Sequence, residues 1–202
     1  MDARPTLIVL AGPNGAGKST LYQTRVAPRF AGPFINADLI QHDELGKADP
    51  SAAYDAARIA SERRADHIAR GLDFVTETVF SHPSKLALIE EATAAGFDVI
   101  VMHVGVETPD LSVARVAARV EEGGHAVPED KVRARYARNG ALIRRAALMA
   151  NAGLVFDNSQ LNRPPKRCLV FQDGRLVHER AALPQWIRTI YARDLGADLS
   201  SE

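Results

Sequence analysis

Eight residues near the start of the chain carry the first chemistry. Gly12-Pro13-Asn14-Gly15-Ala16-Gly17-Lys18-Ser19 fits G-x-x-x-x-G-K-[ST] throughout. Glycines at this spacing let the backbone curl until successive N–H groups face phosphate oxygens. A helix leaving the loop adds more donors and the positive end of its dipole. Lys18 is then placed to reach the β- and γ-phosphates of a bound triphosphate, and the Ser19 hydroxyl to ligate Mg²⁺. Thr20 follows as a candidate α-phosphate contact. The loop implies a bound triphosphate without naming a reaction, because motors, switches and kinases share it.

Two acidic positions give that phosphate somewhere to go. Asp38, in "FINADL", leaves a short apolar run. A carboxylate at such a strand end can take the proton of an acceptor hydroxyl, worth on the order of 10² to 10⁴ in rate. Its position before "LIQH" suits a helix N-cap equally well. Glu77, with Thr78 beside it in "FVTET", is the second candidate: it can bind substrate hydroxyls or hold Mg²⁺ through water. A third polar group, Asp157-Asn158-Ser159, is explained by turn chemistry.

Arginine supplies the opposite charge. Seven arginines fall between Arg115 and Arg145. Arg115 and Arg119 share one helix face, and Arg135 and Arg138 share another, near Arg133. "GGHAVPED" joins the two helices, which predicts a glycine-hinged lid at about 109–150. Arginines closing over a γ-phosphate contribute roughly 10³ to 10⁵ in rate, and closure excludes water. The competing reading is a solvated basic face paired with Glu121, Glu122, Glu129 and Asp130. His125 reads as a turn residue, and no set of histidines has metal-ligand spacing.

These groups need a scaffold that brings strand ends together. "TLIVLAG" reads as a buried parallel strand. Further strands are expected at "PFINAD", "GLDFVTETVF", "FDVIVMHVGV" and "GLVFDNS". Helices are expected at about 17–26, 51–70, 83–96, 109–121 and 128–150. "KRCLVFQDGRLVHER" reads as a hairpin around Asp173-Gly174, followed by a terminal helix anchored by Trp186. Alternation of strand and helix after a P-loop predicts an α/β fold of the P-loop NTPase type. Its sheet is mostly parallel with helices on both faces and ends in the β-hairpin and helix. All 202 residues are expected to form one domain.

Composition narrows the partners. Lys plus Arg equal Asp plus Glu at 25 each, which argues against general nucleic-acid or membrane binding. The one cysteine, Cys168, reads as a core residue, and no disulfide framework is available. The N-terminal apolar run is too short for a signal peptide, so a cytoplasmic protein is expected.

Taken in order, "AGPNGAGKST", "FINADLI", "FVTETVFS" and "GGHAVPEDKVRARYAR" resemble the zeta toxin family in its short chromosomal form, over residues 6 to about 160. The resemblance implies a P-loop kinase fold and ATP–Mg²⁺-dependent phosphorylation of a small-molecule hydroxyl. In the best-studied members that hydroxyl is the sugar 3′-hydroxyl of UDP-N-acetylglucosamine. It implies Lys18 and Ser19 as phosphate and Mg²⁺ contacts, Asp38 as catalytic base and Glu77 as acceptor ligand. Arg119 with Arg133 or Arg135 would be the γ-phosphate arginines, and a separate antitoxin a possible partner. Where larger toxins carry Gly-Thr-x-Arg after the strand-end glutamate, this chain has Thr78-Val79-Phe80-Ser81 and no arginine. Phosphoryl transfer therefore carries over more readily than the acceptor's identity. A nucleotide-dependent switch and a nucleic-acid 5′-hydroxyl kinase remain the competing expectations.

Overall fold

The computed structural model describes residues 4–46, 50–121 and 127–196. Strand β1 (Thr6–Ala11) is the apolar run before the glycine-rich loop, and Leu7 to Ala11 are all buried. Its neighbours are β3 (Phe74–Thr78) and β4 (Asp98–Gly105), both parallel to it. Beyond these lie β2 (Phe34–Ile35) and β5 (Ala152–Asp157), also parallel. The antiparallel hairpin β6 (Lys166–Gln172) and β7 (Arg175–Glu179) extends the sheet. The order is β2-β3-β1-β4-β5-β6-β7, the mostly parallel α/β sheet that strand–helix alternation predicts.

The order explains where a ligand belongs. From β1 the chain crosses toward β2, whereas from β3 it crosses back over β1 toward β4. Adjacent strands whose connections diverge leave a crevice at their carboxyl ends, the usual ligand site of such sheets. Register puts Leu10 opposite Glu77 and Ala11 opposite Thr78. Glu77 therefore lies one residue before the end of its strand, level with the last residues of β1 before the glycine-rich loop.

Alternation along β1 sends Leu7, Val9 and Ala11 to one face and Ile8 and Leu10 to the other. On the first face lie α3 (Pro50–Arg70), α4 (Leu86–Ala94) and α6 (Glu129–Met149). Ala52, Ala56 and Ala60 form a buried stripe on α3, small side chains at four-residue spacing that let the helix approach closely. Helix α1 (Lys18–Leu21) and the π-helical turn Tyr22–Val26 cover the second face through Leu21 and Val26. A third cluster joins Val155, Cys168, Leu169 and Phe171 to Trp186 and Ile187 of α7 (Gln185–Ile190) and to Tyr191. The Asp173-Gly174 turn has positive φ at both residues, 47° and 77°, the conformation a two-residue hairpin requires.

Some local expectations change. "PFINAD" pairs only over Phe34–Ile35, because Asn36 turns the chain directly into α2 (Ala37–Leu39). The segment expected as a lid contains α5 (Pro109–Glu121) and α6. The second half of α6 is a core element, with Ile143, Ala146 and Ala147 fully buried. The expected hinge, Gly123-Gly124, and His125 lie outside the described residues.

Candidate functional site

The loop from Gly12 to Ser19 turns tightly between β1 and α1. Gly17 caps α1 with φ 92°, and a Cβ there would stand 2.2 Å from Asn158 Nδ2. Gly15 has φ 73°, and its Cβ would meet the Ser112 carbonyl oxygen at 2.5 Å. Both the backbone conformation and the close neighbours exclude a side chain. Lys18 is buried and donates from Nζ to the Gly12 and Pro13 carbonyls, each at 3.1 Å. Its ammonium lies 3.5 Å from Glu77 Oε1. The lysine thus bridges the loop after β1 and the acid at the end of β3.

Glu77 is held from its other side by Asn36, whose Nδ2 donates to Oε2 at 3.2 Å. The Asn36 side chain also accepts from Asp38 N at 2.8 Å and caps α2. This settles one sequence-level alternative: the cap is Asn36, and Asp38 sits in the first turn of α2 with its carboxylate exposed. Thr78 Oγ1 accepts from Phe80 N at 3.1 Å, in a turn where Phe80 has φ 49°. The bend carries the chain away from the sheet just after Glu77, and Asn139 of α6 supports it by donating to the Val79 carbonyl.

One cleft of about 790 Å³ gathers the loop residues Asn14, Gly15, Gly17, Lys18, Ser19 and Thr20 with Asp38, Glu77, Arg115 and Arg119. Its far wall is the segment 160–164 after β5. Arg115 is half-buried, and burial lowers its guanidinium pKa against the pull of Asp157. The three candidate arginines of α5 and α6 part company. Arg119 lines the cleft. Arg135 donates from Nη1 to Asn14 Oδ1 at 3.0 Å, so α6 touches the loop. Arg133 is exposed and held by Asp110 at 2.6 Å and Glu129 at 2.8 Å, and neither it nor Arg135 is among the residues lining the cleft.

Two asparagines carry structure that the sequence reading assigned elsewhere or not at all. Asn36 joins the two acids, as described. Asn158 is buried and donates from Nδ2 to the Ala16 carbonyl at 2.9 Å. It therefore fixes the phosphate loop from the end of β5, beyond simple turn chemistry. Its neighbours do act locally: Asp157 accepts from Ser159 Oγ at 2.5 Å and from Trp186 Nε1 at 2.9 Å. An amide directly after a parallel strand is the signal available in the sequence, but only sheet order brings that end to the loop. Tyr136 closes the back of the loop, its hydroxyl set between the Val106 and Glu107 carbonyls at 2.8 and 3.0 Å. Burial, with help from Glu107 and Asp157, pushes that phenol up to about 12.

The model of the family described as Zeta toxin matches residues 1–161. An uncharacterized protein of Haemophilus influenzae is 32% identical over 131 residues, 64% of this chain and 91% of that one. The solved AvrRxo1-ORF1:AvrRxo1-ORF2 structure with sulphate ions superposes with TM-score 0.65 at 15% identity. It covers all of this chain and 66% of its own, so about one third of that chain has no counterpart here. The same complex has also been solved with ATP. The PezAT chromosomal toxin–antitoxin system of Streptococcus pneumoniae superposes with TM-score 0.63 at 15% identity, over 99% of this chain and 82% of that one. At these identities the structures establish a shared fold. No helix among the described residues is long and apolar enough to cross a membrane.

Proposed function

The chain belongs to the Zeta toxin family and is a P-loop phosphotransferase, and from that premise we propose that it transfers the γ-phosphate of ATP to a hydroxyl of a small molecule. The observation that carries this reading is the single cleft lined by the phosphate loop, Arg119, Glu77 and Asp38. In the proposed step Asp38 accepts the hydroxyl proton as the acceptor oxygen bonds to the γ-phosphorus. The bond from that phosphorus to the bridging oxygen breaks, and ADP leaves. Lys18, released from the Gly12 and Pro13 carbonyls, follows the β- and γ-phosphates. Arg119 and Arg135 offset the charge that builds on the transferred group. Arg135 is preferred to Arg133 because it already reaches Asn14, whereas Arg133 is engaged by two carboxylates.

The donor chemistry also suits Mg²⁺. Among the described residues no group of three or more His, Cys, Asp or Glu could cage a metal, and the cleft instead offers the Ser19 hydroxyl with the Glu77 and Asp38 carboxylates. A sparse set of hard oxygens fits an ion that keeps waters and takes substrate phosphates as ligands. Ser19 would hold it directly, and its charge would stabilise the phosphate oxygens.

Glu77, fixed by Asn36 and Lys18, is the proposed ligand of the acceptor's hydroxyls, with Thr78 beside it. UDP-N-acetylglucosamine is the first acceptor to test, with a separate antitoxin as the matching protein partner and the cytoplasm as the setting. Incubation with ATP, Mg²⁺ and a panel of sugars, sugar phosphates and nucleotide sugars, followed by mass spectrometry, tests the reading. A phosphorylated acceptor is expected. ADP and inorganic phosphate as the sole products would instead mark a hydrolysing switch.

A further inference from the structure

One face of α6 reaches three strand ends in little more than a turn. Arg135 donates to Asn14 in the loop after β1. The Tyr136 hydroxyl sits between the Val106 and Glu107 carbonyls beyond β4. Asn139 donates from Nδ2 to the Val79 carbonyl just past β3. Arg135 and Asn139 are four residues apart, so they stand one above the other on the helix. The side chain that touches the phosphate loop and the one that touches the end of β3 are thus carried by adjacent turns.

Asn139 is an expensive residue where it lies. It is fully buried, and its Oδ1 has no hydrogen-bond partner among the described residues. Leucine would fill such a position without leaving an amide oxygen unpaired. What the amide supplies and leucine lacks is the bond to Val79. That bond lands in a strained turn: Phe80 holds φ 49°, in the left-handed region that a bulky L residue seldom adopts. Such a conformation persists where its surroundings over-determine it. Here Phe80 N donates to Thr78 Oγ1 at 3.1 Å, the Phe80 ring is buried, and Asn139 fixes the carbonyl between those two residues. The turn begins directly after Glu77, so its shape sets where Glu77 and Thr78 stand.

We propose that Asn139 is a positioning residue through which α6 couples the phosphate loop to the acceptor end of β3. Nucleotide draws Arg135 from Asn14 toward the γ-phosphate, Tyr136 keeps the helix seated on the sheet, and Asn139 one turn on holds the Thr78–Phe80 turn closed. Glu77 is then in place for the acceptor when the donor is loaded, and by linkage an acceptor at Glu77 tightens the donor site. The roles of Arg135 and Glu77 rest on the phosphotransfer reading. The Lys18–Glu77 pair, at 3.5 Å, offers a shorter route between the same two sites, and the test separates the two.

Hydrogen exchange at the Phe80 amide reads the turn without any acceptor. It is followed in wild type, Asn139→Ala and Asn139→Leu, each free and saturated with a non-hydrolysable ATP analogue and Mg²⁺, with saturation confirmed by calorimetry and folding by circular dichroism. In the wild type the analogue should slow exchange about fivefold or more, the low end of a coupling between sites. In both Asn139 variants the ratio of free to bound rates should fall below about twofold. Arg135→Gln, which leaves the core untouched, should lose the ratio as well. A merely structural bond would speed exchange in the Asn139 variants and leave that ratio as it is in the wild type. No slowing in the wild type overturns the proposal. So does a full wild-type ratio in the Asn139 variants, which would assign the coupling to Lys18 and Glu77 alone. Failure of the phosphotransfer reading would show differently, as no phosphorylated product from any acceptor while nucleotide still protects Phe80 through Asn139.

Discussion

Asn36 offers the sharpest perturbation, because one side chain serves two acids by two different bonds. Its oxygen caps α2 through Asp38 N at 2.8 Å, and its amide nitrogen donates to Glu77 at 3.2 Å. Asn36→Ser keeps a capping oxygen and loses the donor to Glu77. A hydrogen bond to a carboxylate is worth about 1.5–3 kcal/mol, and the residue is buried, so a loss of about 2 kcal/mol is expected. Asn36→Ala also removes the cap, which adds about 1 kcal/mol. Asn36→Asp keeps a good cap but sets a carboxylate against Glu77. At 3.2 Å and an effective dielectric constant near 20, that repulsion reaches about 5 kcal/mol before the side chains move apart. Urea unfolding should therefore rank the variants wild type, serine, alanine, with aspartate lower than serine. The serine and aspartate variants should also raise KM for the acceptor more than KM for ATP, since Glu77 loses its position while the phosphate loop keeps Asn158. Equal stability of the serine and alanine variants, or wild-type acceptor KM in the aspartate variant, would refute this account of how the two acids are held.

Other consequences follow from the same geometry. Asn158→Ala leaves the Ala16 carbonyl unpaired, which costs about 1–3 kcal/mol; ATP binding by calorimetry should weaken while the fold persists. Arg135→Gln should lower the transfer rate at least tenfold, whereas Arg133→Gln, which removes an exposed pair with Asp110 and Glu129, should leave it within about twofold of the wild type; a larger effect at Arg133 would reverse the assignment. His103 is fully enclosed at 2.8 Å from the Tyr191 hydroxyl, and burial pushes its pKa down from 6.5 to about 3. Between those values the unfolded chain takes up a proton that the folded chain refuses. Stability is thus full above pH 6.5 and falls as pH drops toward 3, by up to about 1.4 kcal/mol per pH unit; His103→Gln should flatten that slope in urea titrations.

Much of this was legible in the sequence because it is local. The phosphate loop announces itself through glycine spacing, and the Asp173-Gly174 hairpin through residues that tolerate positive φ. The strand before the loop shows in its unbroken apolar run. Asn36 was hidden because Asp38 looks equally suited to cap a helix, and only the dihedral change at Asn36 decides which residue does so. Asn158 was hidden for a different reason: its partner, Ala16, lies 142 positions away, and only the sheet order brings the end of β5 to the loop. Helical spacing put Arg133 and Arg135 within the same few residues without saying which one faces the loop. The acids Asp110 and Glu129, on two different helices, draw Arg133 outward.

The most direct measurement is the rate at which Asp38→Asn transfers phosphate from ATP to the acceptor found in the panel, followed by mass spectrometry with ATP binding measured in parallel. The account predicts unchanged ATP affinity and a transfer rate lower by on the order of 10² to 10⁴, the usual contribution of a positioned base. Transfer at the wild-type rate by the asparagine variant would contradict it.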